Sequence, residues 1–341
     1  MLDDLKLIHT RDASDAFGVA EKQWQQLEAA YDMPELTRPF GNIVVAGMGG
    51  SALAALMSQS WPSYSVPFEL CRSYNVPAFV CQDTLFIASS YSGNTEETLG
   101  ALTQAEERGA QIVVIASGGK LADIAHERSY PLLLLPQVGQ PRFAVFASYK
   151  AHLTLLMKAG IVHNLDEVTA AASLLKQASE AWAPTVSTHN NWAKQIALEL
   201  MGKTQIIYAG PLLFPAAYKW KISLNENAKN LAWCSQLPEF NHNEFIGWTG
   251  HPVDKPYAII DLRSKLELPQ IQKRFELTAR LLSGKRPDPI VIEVKGETIV
   301  EQLLWTIALG DFVSLYLAIL NSVDPSPVEL TEKFKKRLAE S

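Results

Sequence analysis

At 341 residues the chain is too long for one ordinary domain and comfortable for two, each of about 150 to 200 residues. Hydrophobic residues make up 48% and charged residues 19%, with 19 Gly and 19 Pro, which excludes a disordered, collagen-like or disulfide-scaffold protein. Lys and Arg number 30 against 36 Asp and Glu; the net charge of −6 argues against a dominant basic nucleic-acid surface and leaves room for a local anion site.

The opening MLDDLKLIHTRDASDAF has acids where a secretory signal needs a basic start and an apolar run, so a cytoplasmic protein is expected. Cys71, Cys81 and Cys234 lack metal-ligand spacing and cannot all pair within one chain, which suits a reducing compartment. Residues 12–31 read as a polar-faced helix ending before Pro34 and Pro39. Asn42–Ala46 is a short apolar strand closed by glycines, and 50–60 a helix of small residues. A second strand at 85–89, a helix at 95–108 with Leu99 and Leu102 inward, a strand at Gln111–Ala116, a short helix at 121–128 and a strand at 132–135 follow. Apolar strands without polar alternation, separated by helices, predict a parallel sheet covered on both faces.

A helix is predicted over 143–158, closed by Gly160. Residues 161–190 are mostly helical with a break near Pro184. The alternation restarts with a strand at 205–209, then Gly210 and a helix at 214–231 whose Ala217, Leu224, Ala228 and Leu231 share a stripe. Segments 258–262, 267–281, 290–294 and 299–320 continue it. The most apolar window, 305–320, has 16 residues and is interrupted by Asp311. That is short of the roughly 20 a bilayer needs, so a buried core helix is expected. The fold class is therefore α/β, with two αβα sandwich domains and mainly parallel sheets. Residues 1–160 form the N-terminal helix and first domain, 161–190 a helical connection, and 191–341 the second domain with C-terminal helices.

Four stretches carry residues suited to chemistry. Gly47-Met48-Gly49-Gly50-Ser51-Ala52 leaves a strand and opens a helix, where glycines let an anion approach the helix N–H groups. A tight turn uses the same glycines. The GxGxxG fingerprint fails because position 52 is Ala, and no GK[ST] follows. Ser89-Ser90-Tyr91-Ser92-Gly93-Asn94-Thr95-Glu96-Glu97 also joins a strand to a helix. Thr95 as an N-cap explains one of its hydroxyls and leaves Ser89, Ser90 and Ser92 to donate to a phosphate. With no basic neighbour in sequence, this loop suits a monoester held by neutral donors.

Arg142, in Gly139-Gln140-Pro141-Arg142, precedes a helix start, where a cation opposes the macrodipole. It is either solvated or aimed at a negative oxygen developing on a substrate. Glu226 in Leu224-Asn225-Glu226-Asn227-Ala228-Lys229 and His242 in Leu237-Pro238-Glu239-Phe240-Asn241-His242-Asn243-Glu244 supply a carboxylate and an imidazole for base and acid work. One His without Cys makes a metal site the weaker reading. His9, His126, His152, His163, His189 and His251 are read as surface or packing residues. Lys333, Lys335, Lys336 and Arg337 are solvated charges on a C-terminal helix unless that helix crosses a cleft.

Together GMGGSA, SSYSGNTEET, GQPR, the WKISLNENAK to LPEFNHNE block and DPSPVELTEKFKKRL closely resemble the bifunctional phosphoglucose/phosphomannose isomerases. That family lies in the phosphoglucose isomerase superfamily and is built from two sugar isomerase (SIS) domains. The likeness runs from about residue 40 to the C-terminus. SYSGNTEET alone marks only an SIS domain; its combination with NENAK, NHNE and the C-terminal PVE helix is more specific. The resemblance implies a sugar-phosphate pocket of Gly49, Gly50, Ser51, Ser90, Ser92 and Thr95. It implies Glu226 as the base moving a proton between C1 and C2, Arg142 stabilising the enediolate, and His242 opening the ring from a neighbouring subunit. The family lysine matches Lys335, with Lys333 as the alternative. Ser326 stands where the family usually has threonine before Pro-Val, keeping the hydroxyl and losing a methyl beside the C2 epimer.

The expected reaction interconverts fructose 6-phosphate with glucose 6-phosphate and mannose 6-phosphate, in a homodimer, with no metal or nicotinamide and no nucleic-acid or membrane partner. A regulatory sugar-phosphate-binding SIS protein would keep the serine loop without needing Glu226, Arg142 and His242 together. An aminotransferase would need an amidotransferase domain and an N-terminal cysteine, whereas the chain starts Met-Leu. An isomerase for another phosphorylated sugar is the nearest enzymatic alternative.

Overall fold

The computed structural model describes residues 1–36, 38–62, 64–250 and 256–340; His251 lies outside them. The chain opens with α1 (Leu5–Arg11), α2 (Ala16–Glu21) and a 3-10 segment Gln23–Glu28, so the single helix expected over 12–31 is broken. Asp12 ends the first turn and caps the next, its carboxylate accepting the Ala16 and Phe17 N–H groups at 2.8 and 2.9 Å. Asp15 adopts a left-handed φ of 53° at the join. The polar face is only partly solvated: Lys22, Gln25 and Glu28 are exposed. Gln26 is buried, donating to the Phe143 carbonyl at 2.7 Å and accepting from the Ala147 N–H at 2.9 Å.

The first sheet is built from β1 (Asn42–Ala46), α3 (Gly49–Ser60), β2 (Phe68–Cys71), β3 (Thr84–Ser90), α4 (Glu96–Glu107), β4 (Gln111–Ala116), α5 (Gly119–Glu127) and β5 (Leu132–Leu134). Its strands are all parallel in the order β2-β1-β3-β4-β5, with Ile43 beside Leu85 in register. Ile43, Val45, Leu85 and Ile87 enter one core, while Val44, Ala46, Phe86 and Ala88 enter another on the opposite face. Burial on both faces is why these strands read as continuous apolar runs. The edge strand β2 was not expected; four residues, Phe-Glu-Leu-Cys, show no run long enough to mark it.

After a 3-10 turn Pro141–Phe143 come α6 (Val145–Lys158), α7 (Asp166–Trp182) and α8 (Trp192–Leu200). The second sheet follows: β6 (Thr204–Ala209), α9 (Phe214–Glu226), β7 (Ala232–Gln236), a 3-10 turn Glu239–His242, α10 (Glu244–Gly247), β8 (Tyr257–Arg263), α11 (Pro269–Leu281) and β9 (Ile290–Glu293). It too is parallel, in the order β7-β6-β8-β9. The chain ends with α12 (Ile299–Leu320) and α13 (Glu329–Glu340).

The helix expected over 214–231 stops at Glu226, and Leu231 is 61% exposed instead of completing the stripe. Asn225 takes the Ala232 N–H at 2.9 Å and Lys229 adopts a φ of 51°, turning the chain back into the unforeseen edge strand β7. The apolar C-terminal helix is longer than its 16-residue window. α12 has 22 residues behind a Thr298–Glu301 capping box, long and apolar enough by composition to cross a membrane. Of that apolar window 94% is buried inside the fold, against α7, α8 and α9. Packing, not length, is therefore the reason to read it as a core helix.

Candidate active site

In the order β2-β1-β3 the chain leaves β1 for one neighbour and resumes at the other. The crevice beyond the C-terminal ends of β1 and β3 is the switch point where doubly wound sheets take ligands. α3 and α4 both start there, and neither has a side-chain cap. Thr95 occupies the N-cap position of α4, yet its Oγ1 lies 2.8 Å from Ser90 Oγ instead of turning to the helix. Two uncapped helix N-termini thus converge, each with N–H groups and a partial positive charge suited to an anion.

The two loops are tied together. Ser51 Oγ accepts the Tyr91 N–H at 2.8 Å, and Ser89 Oγ donates to the Ser51 carbonyl at 3.2 Å. Gly93 has a φ of 68°, and a Cβ there would lie 1.8 Å from the Gly118 carbonyl oxygen. Glycine is required at this stacking of loop on loop. The same packing lets the Lys120 N–H reach Asn94 Oδ1 at 3.1 Å, which brings a lysine beside a loop that has no basic neighbour in sequence. Gly49 and Ser92 are exposed and Thr95 half-buried, while Ser51 and Ser90 are buried beneath them.

Gly50 packs its backbone against the next turn; a Cβ would stand 3.3 Å from the Pro141 carbonyl oxygen. This contact carries Arg142 to the same end of the sheet. Arg142 is only 1% exposed, so it is not a solvated arginine. Its Nε donates to Asn227 Oδ1, its Nη1 to Glu226 Oε2 at 3.0 Å and Gln140 Oε1 at 3.4 Å, and its Nη2 to the carbonyls of Pro325 and Ser326 at 2.8 and 2.9 Å. One guanidinium therefore gathers the first sheet, the end of α9 and the turn before α13. Burial pulls its proton affinity below the ordinary arginine value, and Glu226 opposes that.

The Glu226 side chain is 42% exposed and lines an open cleft of about 740 Å³ with Lys229, Asp324, Val328 and Leu330. Lys229, to which the sequence assigned no role, donates from Nζ to the Glu226 carbonyl at 2.7 Å. Burial first, and then Arg142, lower its proton affinity.

Behind Glu226 stands a buried polar chain that the sequence did not reveal. Asn227 Nδ2 donates to Ser314 Oγ at 2.9 Å, and Ser314 Oγ to the Asp311 carbonyl at 2.8 Å. The Asp311 carboxylate receives Lys219 Nζ, Ser223 Oγ at 2.7 Å and Gln23 Nε2 at 3.1 Å. Lys219 is wholly buried; desolvation lowers its proton affinity and Asp311 opposes the shift. The acid that interrupts the apolar window of α12 is thus half of a buried ion pair.

Gly50, Ser51, Ser90, Thr95, Arg142, Glu226 and Ser326 are brought into one connected region. His242 and Lys335 are not. His242 is exposed at the end of its 3-10 turn and has no side-chain hydrogen bond among the described residues. Lys335, on α13, is 63% exposed and pairs with Glu332 at 3.0 Å; Lys333 is exposed as well. His9, His126, His163 and His189 are exposed, whereas His152 is buried beside the Tyr64 hydroxyl at 3.3 Å.

The second sheet has a corresponding switch point between β6 and β8. There the buried Glu267 carboxylate accepts the Leu212 N–H at 2.8 Å, just ahead of α9. An internal carboxylate thus meets the backbone donors ahead of α9. No group of three or more His, Cys, Asp or Glu suited to a metal ion is found among the described residues.

Residues 189–338 match the family model for the bacterial phospho-glucose isomerase C-terminal SIS domain. The chain is 32% identical to the bifunctional phosphoglucose/phosphomannose isomerase of Caldicellulosiruptor bescii, over 93% of this chain and 96% of that protein. It is 31% identical to the D-glucosamine-6-phosphate 4-epimerase of Sulfolobus acidocaldarius, over 86% of this chain and 88% of that one. Among solved structures, a glucose-6-phosphate isomerase like protein from Thermus thermophilus superposes with a TM-score of 0.66 at 18% identity, covering 98% of both chains.

Proposed function

Since this chain belongs to the bifunctional phosphoglucose/phosphomannose isomerase family, we propose that it is a phosphosugar isomerase that interconverts fructose 6-phosphate with glucose 6-phosphate and mannose 6-phosphate. The observation that carries the reading is the contact of Glu226 with Arg142, 3.0 Å across 84 residues of sequence. It sets a half-exposed carboxylate against a buried cation, near two uncapped helix starts.

In this reading the phosphate sits at the starts of α3 and α4, held by their N–H groups and by Ser51, Ser90, Ser92 and Thr95. Glu226 removes the proton from C2 of the aldose to give a cis-enediolate, then returns it to C1 of the ketose. Arg142 offsets the negative charge on the enediolate oxygens through Nη1, the donor that already faces the carboxylate. Rotation about C2–C3 selects the epimer formed on return, and Ser326, whose carbonyl is bound to Arg142, leaves room beside C2 for the mannose configuration. His242 and Lys335 assist ring opening. His242 serves the site of a second copy of the chain; what supports this is the family resemblance and the exposure of its imidazole. The proposed work needs neither metal nor nicotinamide, because the proton moves between adjacent carbons without net oxidation.

The test is a coupled assay of chelator-treated protein on both aldose phosphates, with wild type and Glu226→Gln. Both activities should fall together in the variant, by about 100-fold or more, while sugar-phosphate binding survives. Absence of turnover in the wild type on either epimer would sink the isomerase reading. Unaltered turnover in the variant would remove Glu226 as the base. The Sulfolobus relative favours a second reading, an epimerase, and glucosamine 6-phosphate belongs in the same assay to separate the two.

A further inference from the structure

The segment that carries His242 is held from below by an arginine distant in sequence. Arg286 is 6% exposed, and among the described residues it has no carboxylate ion pair. Its guanidinium carbon lies 5.2, 5.9 and 5.8 Å from the ring centroids of Tyr208, Phe240 and Trp248. Its buried Nη1 has no hydrogen-bond partner among the described residues, and its charge is balanced at longer range by the buried Asp261. Burying a guanidinium with an unmet donor is costly, and an apolar side chain would fill the same space without that cost. What an apolar side chain lacks is the flat cation against which three rings can be ordered.

Two of those rings flank His242. Phe240, 1% exposed, packs at 4.6 Å between centroids on Tyr208, and Trp248 donates from Nε1 to the Tyr208 hydroxyl at 3.1 Å. Tyr208 in turn donates to Glu244 at 2.5 Å. The immediate neighbours are fastened too. Asn241 receives Arg274 at 3.1 Å and donates to Thr278 at 3.0 Å, both on α11, and Asn243 donates to Glu239 at 2.7 Å. Residues on either side of His242 are anchored while its own imidazole is left exposed.

Building on the reading of His242 as the ring-opening group, we propose that Arg286 is a positioning residue, a cation clamped by Tyr208, Phe240 and Trp248 that sets the direction in which His242 is presented. The inference assigns no contact between Arg286 and substrate. It predicts that the two residues act as one unit in ring opening and leave the enediolate machinery alone.

The test compares His242→Ala, Arg286→Lys and the double variant, with Arg274→Met as a second, milder release of the same segment. Turnover of glucose 6-phosphate is measured with the inhibition constant of 5-phosphoarabinonate, an open-chain mimic of the enediolate that needs no ring opening. Turnover should fall by about 100-fold in His242→Ala and about tenfold in Arg286→Lys. The double variant should match His242→Ala alone. Inhibitor binding should stay within about twofold throughout, as expected when Glu226, Arg142 and the phosphate loop are intact. Full turnover in both Arg286→Lys and Arg274→Met would overturn the clamp, as would independent losses in the double variant or a matching loss of inhibitor binding. Full turnover in His242→Ala would instead remove the ring-opening role of His242, and the clamp with it.

Discussion

Thr95 shows how one torsion separates a helix-capping hydroxyl from one turned away from the helix. By type and position it is a helix cap, yet its Oγ1 turns to Ser90 and leaves the α4 N-terminus open. Thr95→Ala should therefore cost little stability and weaken sugar-phosphate binding by roughly 1 to 3 kcal/mol, since a charged oxygen loses a donor. Equilibrium titration paired with urea unfolding reads both; lost stability with unchanged affinity would restore the capping role. His152 offers a pH signature at the same scale. Burial holds its imidazole neutral, lowering its pKa from 6.5 to about 4. The unfolded chain binds that proton and the fold does not, so this contribution is complete above pH 6.5 and is lost progressively as pH falls toward 4. Its full size is about 3 kcal/mol. Urea midpoints at pH 7.5 and pH 5 should diverge in wild type, and His152→Gln should narrow the gap; an unchanged gap would assign the acid sensitivity to other groups.

Between elements, the informative contact is α9 against α12. A Cβ on Gly310 would lie 2.3 Å from the Trp220 ring, so glycine is what lets these helices approach. Trp220 donates across the join to the Thr306 carbonyl at 2.7 Å, and Lys219 meets Asp311 one turn away. Asp311→Asn leaves the buried Lys219 ammonium without its counter-charge and should destabilise the fold by about 3 to 5 kcal/mol. Lys219→Met with Asp311→Leu should recover most of that loss, because the desolvation penalty disappears with both charges. Denaturant unfolding of wild type and the two variants decides it, and equal stability of Asp311→Asn and wild type would exclude the pair as a structural element.

At the scale of the whole molecule, the expected division into residues 1–160, 161–190 and 191–341 is best proposed as a division of sheets. One hydrophobic core draws on both halves. It joins Phe17 and Leu53 to Val168, Trp220 and Phe312, and Trp182 packs edge-on against Trp305 at 5.3 Å. The shared-site reading predicts a homodimer. Sedimentation at micromolar concentration should show it, and mixing inactive Glu226→Gln with inactive His242→Ala should restore part of the activity, because a mixed dimer holds one site with both groups intact. A fully active monomer would end the shared-site proposal.

The amino-acid sequence by itself determined the strand–glycine–helix alternation, the parallel two-sheet class and the two glycine- and serine-bearing turns. These rest on local periodicity and on turn residues whose backbone needs are met within a few positions. Edge strands β2 and β7 escaped because they are short and half-exposed, and their pairing comes from β1 and β6 rather than from their own composition. Tertiary structure alone decided what Arg142 does. Its acceptors at Glu226, Asn227, Pro325 and Ser326 lie 84, 85, 183 and 184 residues away, and no local pattern encodes contacts at that separation. It also decided that Asp311 is half of a buried ion pair, that Glu267 binds the turn ahead of α9 and that Arg286 lies beneath the His242 segment. Each is a charge whose meaning depends on what excludes water from it, and that is a property of the packed molecule.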